Sequence, residues 1–121
     1  MPKPSTTAPP SDLTLVELAT PTVKVSNLKP PVRTALLELA RLHWLLFAKP
    51  LVVTSGNDGD HSKGLKHYTD DAFDQRSRDK TPDEQLLWAV VLAHVAQKHN
   101  LAVFDERARD SGPHWHIERA D

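Results

Sequence analysis

The chain has 121 residues, with 10 prolines, 4 glycines and no cysteine, a length that suits one domain around a modest core. Its 15 Lys and Arg against 16 Asp and Glu leave a formal net charge of -1, without the basic excess that duplex binding requires, so nucleic acid is not an expected partner. The absence of cysteine excludes disulfides, thiolate zinc sites and a cysteine nucleophile, and attention moves to the 7 histidines, which ligate metals and titrate near neutrality.

In chain order, residues 1–12 (MPKPSTTAPPSD) are proline-rich and lack the apolar run of a secretory signal, and they predict a flexible tail ahead of a single domain over 13–121. No stretch reaches the ~20 apolar residues of a membrane span, so neither insertion nor an anchor is expected. The expected location is cytoplasmic. Residues 13–29 mix short apolar groups with Thr and Pro and suit an extended segment or edge strand. After Pro30 and Pro31, the positions Val32, Leu36, Leu39, Leu42 and Leu46 recur at helical spacing, and the helix should stop before Pro50.

Leu51 to Thr54 then reads as a short buried strand, and the loop SGNDGDHSKGLKH behind it holds three of the four glycines. DAFDQR at 71–76 alternates like a strand. Thr81, Pro82 and Glu84 form a helix start, with Thr81 as cap and Glu84 completing a capping box. The helix that follows is expected to bury Leu87, Val90, Val91 and Val95 and to end near Asn100. LAVF at 101–104 and HWHIE at 114–118 read as strands. The expected fold is α+β, with two main helices against a small, mostly antiparallel sheet.

On a strand, His114 and His116 point to one face and Trp115 to the other, which presents two imidazoles side by side. Asp74 shares a strand face with Ala72 and Arg76, and His67 lies in the loop just before it. A catalytic zinc takes three N/O ligands and leaves a fourth position for water, and His67, Asp74 and one of the 114/116 pair would supply that set. Trp44 and Trp88 are expected as core anchors, His43 and His94 as packing or boundary residues, and His99 as a helix C-terminal residue favoured by the dipole.

The run TSGNDGDHSKGLKHYTDDAFDQR followed by PHWHIE resembles the zinc D-Ala-D-Ala peptidase and hedgehog-like superfamily, which includes endolysin-like peptidoglycan peptidases. The match spans residues 54 to 118 with its elements in order, and it departs from the family pattern at Leu65 (Ser) and Asp70 (Gly). The resemblance implies a hedgehog-like fold and a Zn2+ site made by His67, Asp74 and His116, with His114 close by as a donor to the oxyanion. It implies a catalytic carboxylate shortly before the last histidine, where Glu106 is favoured over Asp105 and Asp110. His61 and Arg76 are the candidates for contacting substrate. The implied activity is hydrolysis of a peptide bond in peptidoglycan stem peptides, either as a D-Ala-D-Ala carboxypeptidase or as an L-Ala-D-Glu type endopeptidase, reaching the cell wall through a pore if the chain is phage-encoded; the expected state is a monomer, with the oligomeric state left open. The alternative is a non-catalytic hedgehog-like zinc-binding module, a component of a phage particle.

Overall fold

The computed structural model describes residues 15–21, 23, 25, 28–56, 72–107 and 113–120. The elements run β1 (Val16–Leu18), α1 (Pro30–Phe47), β2 (Leu51–Ser55), β3 (Ala72–Arg76), α2 (Pro82–Lys98), β4 (Leu101–Glu106) and β5 (His114–Arg119). The five strands form one sheet in the order β1-β2-β3-β5-β4. β1 and β2 are parallel and joined through α1, while every other neighbouring pair is antiparallel. The fold is therefore the expected α+β arrangement of a small, mostly antiparallel sheet with two helices. Among the described residues no helix is long and apolar enough to cross a membrane.

Each helix has a local cause. Prolines occupy the first turn of both, where their missing N–H costs nothing. Thr81 and Glu84 close the capping box: Thr81 N–H donates to Glu84 Oε1 at 2.9 Å and Glu84 N–H to Thr81 Oγ1 at 3.2 Å. α1 ends at Ala48, which takes a left-handed conformation (φ 55°) and donates its N–H to Trp44 C=O, so the chain has turned away before Pro50 could clash. At the end of α2, the His99 ring lies 2.7 Å from Glu38 of α1, a tie between helices that dipole reasoning alone does not supply.

The core lies between the helices and one sheet face. Val32, Leu36, Leu39 and Ala40 of α1 and Trp88, Leu92, Val95 and Ala96 of α2 meet Leu51, Val53, Phe73, Trp115 and Ile117. Burial of this set supplies the main stabilisation. The face of α2 differs in part from expectation: Trp88 and Val95 are buried as expected, but Leu87 is 46% and Val90 64% exposed, and Leu92 is inside instead. The helix is apolar on nearly every side, and the volume of Trp88 decides which side packs. Trp44 is 41% and Leu46 44% exposed, because α1 turns His43 inward. His94 is exposed as well.

His43 is fully buried, its ring edge-on to those of Phe47 and Trp88. Its Nδ1–H donates to Lys49 C=O at 2.8 Å, because a carbonyl can only accept, so the neutral tautomer carries its proton there. Burial lowers the pKa of the ring to about 4. Nearby, the Lys80 ammonium sits among Phe47, Trp88 and Trp115, and burial lowers its pKa too.

Candidate functional site

The site is built on the sheet face opposite the helices. Phe73, Gln75, Trp115 and Ile117 alternate into the core, which turns Asp74, Arg76, His114, His116 and Glu118 to the other face. Register then brings distant residues together. Asp74 stands opposite His116 and Arg76 opposite His114 across β3 and β5; Phe104 stands opposite His116 and Glu106 opposite His114 across β4 and β5. A register irregularity in β2 between Val53 and Ser55 sets Ser55 opposite Asp74.

His116 is held on both sides. Its Nδ1 lies 2.7 Å from Asp74 Oδ1 and its Nε2 2.8 Å from Glu118 Oε1. Both contacts favour the protonated, charged ring, and a metal bound to His116 would take the place of one of its two protons. Burial of the ring opposes that charge, and the bonds to Asp74 and Glu118 outweigh it, so the pKa is raised. His114 Nε2 lies 2.8 Å from Glu106 Oε1 and 3.6 Å from Asp74 Oδ2. The side chains of Asp74 and His114 are each 14% exposed, and that of Glu106 is 28%. They are thus shielded enough for strong polar contacts and open enough to be reached.

Of the expected site residues, the sheet brings Asp74, His114, His116 and Glu106 together as two close pairs, Asp74 with His116 and Glu106 with His114, with Arg76 beside them. His61, His67 and Asp110 lie outside the described residues, as do the N-terminal tail and most of the glycine-bearing loop. Asp105 does not join the group. It alternates to the face of Trp115, where Arg107 grips its carboxylate through Nε at 2.8 Å and Nη2 at 2.7 Å. That guanidinium holds the Asp105 carboxyl below its ordinary range. Glu106 belongs to the last position of β4, where expectation had it following the strand at the mouth of the connection.

Glu118 is the residue that sequence reasoning missed. The signal was present as H-x-H-x-E, since positions 114, 116 and 118 share one face of a strand. The donor chemistry of Asp74, His114 and His116, carboxylate oxygen and imidazole nitrogen, fits zinc. Among the described residues no three such side chains converge as a metal set, and the third expected ligand, His67, is not one of them. No family model, curated protein or solved structure matches the chain.

Proposed function

We propose that this chain is a zinc-dependent peptidase acting on the stem peptides of peptidoglycan. The observation that carries the reading is the paired row of Asp74 against His116 and Glu106 against His114: two N/O donors beside a carboxylate that a histidine orients. The substrate class comes from the sequence resemblance of residues 54–118.

In this reading His67, Asp74 and His116 hold the metal. Zinc, when bound, acidifies a water and polarises the scissile carbonyl. Glu106 accepts the proton of the attacking water and returns it to the leaving amine. His114 donates its Nε2–H to Glu106 and fixes that carboxylate in place, a role that precedes the oxyanion contact expected for it. Glu118 orients His116 through the ring nitrogen that the metal does not use. Arg76 takes a carboxylate of the substrate, and His61 contacts substrate from the loop.

The test is to load the protein with one equivalent of zinc, incubate it with muropeptides and follow products by mass spectrometry. Wild type should cut one stem-peptide bond. Glu106→Gln should keep its zinc and lose roughly two or more orders of magnitude in rate, because a carboxamide cannot take the proton. A zinc-loaded wild type that cuts no stem-peptide bond would replace this reading with that of a non-catalytic zinc-binding module.

A further inference from the structure

We propose that the outer edge of β4 is the docking track for the peptide that this site cleaves, the peptide adding to the sheet as a sixth strand. The inference rests on the peptidase reading above and adds how the substrate is held.

β4 is the last strand in the sheet order, and no strand of the described residues lies beyond it. Ala120 N–H donates to Asn100 C=O at 3.0 Å, and this bond sets the phase of the β4·β5 ladder. In the antiparallel register that pairs Ala102 with Glu118 and Phe104 with His116, Asn100, Ala102, Phe104 and Glu106 exchange bonds with β5. Leu101, Val103 and Asp105 then direct their backbone N–H and C=O groups away from the sheet. An outward ladder of this kind is the template on which an extended peptide adds.

A second feature lies along the same edge. Between β4 and α2 is a groove of about 430 Å³, lined by Ala93, Ala96, Gln97, Asn100, Leu101 and Val103. The short side chains of Ala93 and Ala96 leave the space open. A peptide added along the edge would lie over this groove and place side chains against it. On the opposite face of the sheet Phe104 offers a ring that is 46% exposed and stands 5.8 Å from that of His116.

A third feature ties the track to the chemistry. β4 ends at Glu106, the carboxylate paired with His114, so a backbone following the edge arrives at the proposed base. Arg107 fixes that end of the strand by bonding Asp105 and Gln85 and lying over Trp115. A second copy of the chain fits this edge less well. Antiparallel self-pairing about Val103 would set Asp105, with its Arg107 clamp, opposite Leu101 and the apolar groove of the other copy.

The experiment uses the zinc-loaded chain, a synthetic stem pentapeptide and a set of analogues, each N-methylated at one backbone amide. Methylation at a docking amide should raise KM roughly tenfold, the usual weight of a lost hydrogen bond, with kcat changed less than about twofold. Ala93→Trp, which fills the groove from an exposed helix position, should raise KM similarly while zinc content and Tm stay unchanged. In hydrogen exchange, the peptide should protect the amides of Leu101, Val103 and Asp105. If wild type cleaves the peptide while KM ignores every methylation and Ala93→Trp, the track is refuted and the peptidase reading stands. If those amides become protected with protein concentration alone, the edge belongs to a second copy and the proposal falls. Protection by peptide without cleavage would leave the track in place and overturn the peptidase reading instead.

Discussion

Lowering the pH should weaken this fold through one residue far from the site. His43 is fully buried among Phe47 and Trp88, and burial brings its pKa from an ordinary 6.5 to about 4. The unfolded chain protonates His43 near pH 6.5, whereas the folded chain resists until about pH 4. Within that window the unfolded state binds more protons, so stability is full above pH 6.5 and falls as pH drops towards 4. A difference of about 2.5 units at 1.36 kcal/mol per unit is a loss of about 3 kcal/mol, a large part of the roughly 5 to 15 kcal/mol that holds a domain together. The measurement is urea unfolding followed by tryptophan fluorescence at half-unit steps from pH 7.5 to 4.5, on wild type and on His43→Phe. At pH 7.5 the variant should be about 1 kcal/mol less stable, since Lys49 C=O loses its donor. Its stability should then decline less steeply with acid, so that the two curves cross near pH 5 to 6. Parallel curves over the whole range would refute the assignment of the acid lability to His43.

Elemental analysis of the purified chain should find one zinc per molecule, lost in His67→Ala, Asp74→Ala and His116→Ala. His114→Ala should keep the metal and lose activity, because Glu106 would no longer be held. A His114→Ala protein that loses zinc beside a His116→Ala protein that keeps it would reverse the assignment within the pair. Asp105→Asn should leave the hydrolysis rate within about threefold, since that carboxylate is spent on Arg107 on the other side of the strand; a dead Asp105→Asn with normal zinc would move the base. Thr81→Ala, which opens the capping box of α2, should cost about 1 kcal/mol in urea unfolding without altering zinc content.

The last strand of the site was legible because its periodicity is clean. In HWHIE polar and apolar residues alternate, which fixes which side chains share a face, whereas DAFDQR sets Ala72 on the face of Asp74 and the buried Gln75 on the face of Phe73, so its faces follow from strand geometry and not from polarity. The capping box of α2 was equally plain, since its chemistry is local. What failed was the choice of face on a helix with too many apolar residues. Leu86, Leu87, Trp88, Val90, Val91 and Leu92 offer several plausible stripes, and only packing against β5 and α1 selects the one with Trp88 inside. α1 misled in the opposite way, because His43 at the core position displaced the larger and more apolar Trp44 to the surface.

The separation of Glu106 from Asp105 shows what strand register adds to sequence. Adjacent acidic residues before a polar connection are indistinguishable by composition, and either could serve as a base. Once β4 runs through Glu106, alternation sends the two carboxylates to opposite faces. Asp105 meets Arg107 on the side of Trp115, and Glu106 meets His114. The same alternation makes His114, His116 and Glu118 a single column on β5, and β3 sets Asp74 against its middle member. His116 thereby has a carboxylate at each ring nitrogen and His114 has Glu106 at Nε2, contacts that fix the direction of both rings. The chemistry proposed for this face follows from that arrangement, since a metal ligand and a base are useful only when their lone pairs are aimed.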